Sequence, residues 1–589
     1  MNGLPSLAEI LKFRMPKRQS TAIHTGLRIR VYCDVTMQPL DRVLNYFCFK
    51  NELEINLEIG GYDQFLFETQ KQFGDHSPTP DLIYIHSSCL KYFVLDPGLC
   101  GGAFESSNET LLDRFVSKVR DMIKGSESLI LVNLFEYPPY RLRGTHARQF
   151  GNIKKIEEVN SALISLSKNS KNLILHDLNY LSAYIGLTSW YDFESWTSFK
   201  QPFSNRALVE IGASLASVLA SNYGKSKKII FSDLDNTLWG GVIGDDGVDN
   251  IALGNGTAAG EKYSLVQKYL DRLQRSGILV ACISKNDIEN VLEVFNSDKP
   301  SFSFEKFCIT KINWDPKSQN IIKALLELNL GAHSAVFIDD NTIEIEEVKK
   351  NIANIFCVQH TNSPLEILET IERWGCFETQ TLHAEDLMRN DFYSRKNYLD
   401  KQINNHSNYD EFLVSLNMKG TISWNPKENL SRISSLTRKT NQFNISQIQL
   451  SENQAKEIGL NPKKFIISVG LSDRTGDHGT VSVLFGDISQ HELSIINWVM
   501  SCRVFGRGLE EFILSHVILK AKQLGLSKVS AKVLWSERNR YCRSVFDLEK
   551  ITKKIISDGE FHYTINLKNV NMKKGYGLNG KKLSIEINK

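Results

Sequence analysis

Short apolar runs recur along the chain, and turn-forming polar residues come after most of them. The run 27–33, LRIRVYC, leads into Asp34, Val35 and Thr36. Runs 54–60, 81–86 and 128–135 repeat the pattern, and helical stretches such as 111–124 and 153–167 lie between them. Strands alternating with helices predict a parallel sheet covered by helices on both faces. The alternation resumes at 229–231, 278–283, 335–338 and 352–358, with helices expected at 206–222 and 261–276. Beyond about residue 409 the pattern changes. Runs 465–473, 479–487 and 492–500 read as paired strands, and a helix is expected at 509–524. The chain therefore reads as an α/β multidomain protein: domain 1–222, domain 223–378, a connecting helix 379–408, and an α+β domain 409–589.

Length and composition agree. A chain of 589 residues exceeds what one core supports. Charged residues make up 23% and the net charge is +3, so there is no general electrostatic case for nucleic acid or a membrane as partner. Ten cysteines occur without a CxxC pair, against a zinc ribbon or a disulfide framework. The first residues lack the long apolar core of a signal peptide, and no apolar run is long enough to span a bilayer. A cytoplasmic location is the expectation.

The chemistry concentrates after the run 229–231. Asp233 and Asp235 sit two residues apart at a strand's carboxyl end, where ligands bind in open α/β sheets. Side chains at i and i+2 share a face of a strand. One carboxylate can attack an electrophile while the other handles the proton, and both can help hold a hard cation. Three further clusters come in order: Ser284 and Asn286 after a strand, then Lys317, then Asp339, Asp340 and Asn341 after another strand. Lys317 alone reads as a surface lysine and Asp339-Asp340 alone as a turn; the ordered set is what is specific.

That set resembles motifs I to IV of the haloacid dehalogenase (HAD) superfamily of phosphohydrolases. The extension from Leu238 to Gly244 resembles its FkbH-like branch. The resemblance implies that Asp233 forms an aspartyl-phosphate and that Asp235 is general acid and base. It implies that Ser284 and Lys317 hold phosphoryl oxygens, with Thr237, Asn286 and Asn341 on the substrate side. It also implies Mg²⁺ bound by Asp233, the Asp235 backbone carbonyl, and Asp339 or Asp340. The spaces between motifs are too short for a folded cap, so a capless Rossmann-like core is expected.

The first domain resembles the SGNH-hydrolase-like, doubly wound domain that precedes FkbH-like modules, through the stretches around Gly60-Gly61 and Asn133 to Pro139. It lacks the Gly-Asp-Ser block and the late Asp-x-x-His pair, so a non-hydrolytic role is expected. Cys33 is a replacement nucleophile or a buried small residue.

In the last domain, Arg503-x-x-Gly506-x-Gly508 precedes the helix, a setting that aims backbone N–H groups at an anion. The pattern resembles the pyrophosphate loop of GNAT acyltransferases. The strand 526–535 with Asn539 resembles the next strand of that fold and its asparagine. The usual Tyr-x-x-x-Gly-Phe is blurred here into 545–551, which puts acetyl-CoA use in question. Cys502, just before the loop, is the candidate for a thioester-forming thiol, ahead of Cys282; either is otherwise a small buried residue.

FkbH-like proteins of polyketide pathways take the glyceryl group of 1,3-bisphosphoglycerate, remove phosphate and load glyceryl onto an acyl carrier protein. The resemblance implies that activity, with a carrier protein and a phosphorylated small molecule as partners. Two alternatives stand beside it. One is a HAD phosphatase of a sugar- or polyol-phosphate coupled to GNAT acylation in polysaccharide synthesis. The other is a non-enzymatic scaffold that docks a carrier protein.

Overall fold

The computed structural model describes residues 3–14, 26–63, 65, 79–95, 110–141, 144–380, 382, 387, 390, 413–440, 442–474, 476–535, 539, 542–546, 551–557, 559–570, 575–578 and 582–587. Most of the expected connecting helix at 379–408 lies outside these residues. The chain forms two compact units: Gly3–Ser221 with Thr370–Gln380, and Asn222–Glu369 with Thr381–Lys589. No helix among the described residues is long and apolar enough to cross a membrane.

The first unit is built on strands β1 (Leu27–Cys33), β2 (Ile55–Ile59), β3 (Leu82–His86), β4 (Leu129–Leu134) and β5 (Leu173–Asp177). All pairings are parallel, in the order β2-β1-β3-β4-β5. Strand β3 is buried along its whole length, as a central strand covered on both faces must be. The switch point of this order lies between β1 and β3. There Asp34 accepts hydrogen bonds from Ser87 Oγ and, at 2.9 Å, from Tyr92 OH. Val35 is fully buried and carries no nucleophilic group, and burial pushes the Cys33 thiol up to about 11.

Thr370–Gln380 belongs to this unit rather than to the domain that precedes it in sequence. Arg373 Nε donates to Glu210 Oε1 at 3.0 Å, and Trp374 packs edge-on against Phe47 at 5.5 Å. A salt bridge with one buried partner and an aromatic pair outweigh the continuity of sequence.

Among the described residues the second unit holds two sheets. Strands β6 (Ile229–Ser232), β7 (Leu279–Ser284), β8 (Thr310–Ile312), β9 (Ala335–Asp339) and β10 (Phe356–Gln359) form a parallel sheet in the order β10-β9-β6-β7-β8. Its inner strands are wholly apolar until their last residues, so the polar groups all emerge at one edge. Helices Ala258–Arg275, Lys317–Glu327 and Thr342–Asn351 connect them.

The other sheet has eight strands: β11 (Met418–Trp424), β12 (Lys464–Asp473), β13 (Gly476–Ile488), β14 (Glu492–Met500), β15 (Lys528–Leu534), β16 (Thr552–Ser557), β17 (Glu560–Asn566) and β18 (Ile585–Ile587). Its order is β16-β17-β15-β14-β13-β12-β11-β18, antiparallel except for β14 with β15 and β11 with β18. The helix Leu509–Gln523 contributes nine buried residues to this fold.

Candidate active site

The parallel sheet of the second unit brings the ordered motif residues to one edge. Asp233 comes directly after the central strand β6, Ser284 ends β7, and Asp339 ends β9. Lys317 opens the helix after β8. All four are buried.

Lys317 Nζ lies 3.1 Å from Asp233 Oδ2 and 2.7 Å from Asp339 Oδ2. Burial alone would depress the lysine's pKa, but the two carboxylates hold it above its ordinary value. Asp339 is pushed up to about 7, first by burial and then by the charge of Asp233. Burial also raises Asp340, and Asp233 adds to that rise. One ammonium thus faces three crowded carboxylates.

Carboxylate oxygens of Asp233, Asp339 and Asp340 lie within 4.8 Å of one another. Asp233 Oδ1 is buried and has no hydrogen-bond partner among the described residues. An orphaned buried oxygen in a set of hard oxygen donors with excess negative charge fits Mg²⁺. The Asp235 carboxylate is not among these three.

Asp235 is held on both oxygens. Oδ1 accepts from Trp239 Nε1 at 2.8 Å and from the Ile243 backbone N–H at 3.0 Å. Oδ2 accepts from Asn286 Nδ2 at 2.8 Å. Burial raises its pKa, while the Ile243 and Trp239 hydrogen bonds pull it down. The local chain makes this possible: Asn236 takes a left-handed conformation at φ +53°, and its Oδ1 accepts the Gly241 N–H at 3.0 Å. The loop folds back so that Trp239 and Ile243 face Asp235.

The three residues expected on the substrate side each contact a neighbour at this end of the sheet. Asn286 orients Asp235. Asn341 caps the helix Thr342–Asn351 by accepting the Ile343 N–H, and its own N–H donates to Asp339 Oδ1 at 2.9 Å. Thr237 is fully buried, with Oγ1 3.4 Å from His360 Nε2.

Two acidic residues on the last helix brace it. Glu347 accepts from the Ser318 N–H at 3.1 Å and from Ser318 Oγ, fixing the helix start that carries Lys317. Glu344 pairs with Lys285 at 2.6 Å. His360 is the residue that sequence reasoning misses; its signal was its place one residue beyond β10, at the same sheet edge.

Cys502 is not brought to the carboxylates. It is half-buried and packs against the apolar core of the parallel sheet, a cluster that includes Ile229, Phe337 and Ile345. Cys282 is fully buried in β7, and burial drives its thiol far up. Arg503 Nε donates to Ser501 Oγ at 3.2 Å. Gly506 and Gly508 both take φ +76°, a conformation suited to glycine, and Gly508 precedes the helix start at Leu509.

The N-terminal part of the protein BF1531 from Bacteroides fragilis, described as containing a phosphatase domain complexed with Mg, has a similar fold. It shares 24% identity at a TM-score of 0.54, covering 60% of this chain and 94% of that one. The ribosomal-protein-S18-alanine N-acetyltransferase from Escherichia coli aligns at 12% identity and a TM-score of 0.21, covering 26% of this chain and 99% of that one. The Campylobacter jejuni N-acetyltransferase PseH aligns at 10% identity and a TM-score of 0.18, covering 26% and 98%. No protein-family model and no curated protein matches the chain.

Proposed function

We propose that this protein is a Mg²⁺-dependent phosphohydrolase that works through Asp233. The observation that carries the reading is Asp233 itself, with one oxygen on Lys317 and the other buried without a hydrogen-bond partner among the described residues. An Asp233 oxygen attacks phosphorus and the bond to the leaving oxygen breaks. Asp235 gives that oxygen its proton, and Asp233 is left as an aspartyl-phosphate. Water then attacks the phosphorus as Asp235 takes its proton, which releases phosphate and frees Asp233. Lys317 would offset charge on the phosphoryl oxygens, and Ser284, buried at the end of β7, would donate to them. Asp233, Asp339 and Asp340 would hold Mg²⁺, which would neutralise negative charge in the transition state.

The resemblance to FkbH-like proteins supports a finer reading: a phosphorylated glyceryl donor is dephosphorylated and its glyceryl group is loaded onto an acyl carrier protein in the cytoplasm. The SGNH-like character proposed for the first unit fits a platform role, since its switch point carries Asp34 and Val35 where a nucleophile would stand. The test is intact-mass spectrometry of a phosphopantetheinylated carrier protein after incubation with this protein, Mg²⁺ and a 1,3-bisphosphoglycerate-generating system. A glyceryl mass on the carrier supports the reading. No acyl mass, with phosphate released from sugar phosphates instead, replaces it with a small-molecule phosphatase.

A further inference from the structure

The eight-stranded sheet contains a place where two parallel strands part. β14 pairs with β15 only from Glu492 to Ile495, opposite Lys528 to Ala531. Yet β14 continues to Met500 and β15 to Leu534. Beyond Ile495 and Ala531, each strand turns backbone N–H and C=O groups toward the space between them. Such a slot suits an extended ligand that carries amides of its own, a peptide or a pantetheine arm, by strand addition.

That slot is filled by the chain itself. Ile445 N–H donates to Trp498 O at 3.2 Å, and Met500 N–H donates to Phe443 O at 3.1 Å. On the other side, Leu534 N–H donates to Ile445 O at 2.7 Å. Asn444 forms an antiparallel bridge with Val499. Asn539 Nδ2 then clamps the segment, donating to Asn444 O at 3.0 Å and to Leu534 O at 2.7 Å. Phe443 and Ile445 are fully buried, with the Phe443 ring 5.0 Å from that of Trp498.

The loop beyond β14 is committed in the same way. Arg507 pairs with Asp473, whose Oδ2 also lies 2.9 Å from His478 Nε2. Glu510 and Glu511 lie in the first turn of the helix, and Glu510 is buried. Carboxylates at a helix N-terminus satisfy its positive end and oppose an incoming pyrophosphate.

We infer that Phe443–Asn444–Ile445 is a built-in occupant of the slot between β14 and β15, and that this slot takes no acyl-CoA. This bears on the acetyl-CoA use that the blurred stretch 545–551 leaves in question. It does not depend on the phosphatase reading, because none of these residues belongs to the Asp233 site. Acyl groups handled by this protein then come from a donor other than a CoA thioester held in the slot.

The test is calorimetric titration of the full-length protein with CoA and acetyl-CoA, paired with hydrogen–deuterium exchange of the peptides that carry 443–445 and 534. The expected result is no saturable heat and unchanged protection of these amides. Binding that leaves the amides protected places the nucleotide outside the slot and also supports the inference. Saturable micromolar binding with faster exchange at 443–445 overturns it, because the segment would then be yielding its place to the ligand. Phosphatase activity of the same sample, measured in parallel, reports on the Asp233 site separately.

Discussion

Lys317 Nζ lies 3.1 Å from the Asp233 carboxylate, with both side chains buried. Asp339 Oδ2 lies 2.7 Å from the same nitrogen, so one buried ammonium bridges two buried carboxylates. Removing the lysine would leave both carboxylates buried without their counter-charge.

Lys317→Met should therefore destabilise the protein by about 3–5 kcal/mol, the usual cost of leaving buried charge without its partner. Added Mg²⁺ should recover more of the melting temperature in the variant than in the wild type, since a bound cation stabilises the folded state by mass action. Thermal unfolding with and without Mg²⁺ measures both effects. An equal Mg²⁺ effect in the two proteins would contradict the proposed carboxylate site.

Asn286→Ala removes the side-chain donor to Asp235 Oδ2, while Trp239 and Ile243 still hold Oδ1. The expected result is a fall of about 10²-fold in kcat with KM little changed, in line with the loss of a well-placed general acid. Steady-state kinetics with a phosphomonoester or acyl phosphate checks it. A change confined to KM would return Asn286 to the substrate side.

Glu136 in the first unit gives a pH prediction. It is fully buried, and burial raises its pKa from 4.5 to about 7. A carboxyl with a folded pKa above its unfolded value binds its proton more tightly when folded. The stability it contributes is full below about 4.5 and is lost as pH rises through about 7. The shift corresponds to roughly 3 kcal/mol. Glu136→Gln keeps an acceptor for the Cys89 N–H, which lies 3.1 Å from Oε1. Its gain in melting temperature over wild type should be larger at pH 8 than at pH 5. A gain independent of pH would show that Glu136 is not the group responsible.

Much of this architecture is legible in the sequence because the motif residues sit one or two places beyond apolar runs. Ile229 to Phe231 announces Asp233, and Ala335 to Ile338 announces Asp339, so strand ends and polar chemistry coincide. The roles of Asn286 and Asn341 are less legible. An asparagine at a strand end can face a ligand, a neighbouring carboxylate or a helix N-terminus, and spacing does not choose among them. Thr370–Gln380 is misplaced by sequence continuity because its partners, Glu210 and Phe47, are far away in the chain. Cys502 stands next to a glycine loop in sequence, but its packing against the apolar core of the parallel sheet is not legible from that loop. The insertion of Phe443 to Ile445 between β14 and β15 has no local signature, since its hydrogen bonds reach residues 498, 500 and 534.

The central claim is that Asp233 carries the phosphoryl group. The most direct measurement is mass mapping of acid-quenched protein after brief incubation with Mg²⁺ and an acyl phosphate. The account predicts phosphate on the peptide that contains Asp233. It also predicts that Asp233→Asn loses both this mark and turnover, by at least about 10³-fold. Turnover that survives in Asp233→Asn, with no covalent mark in the wild type, would contradict it.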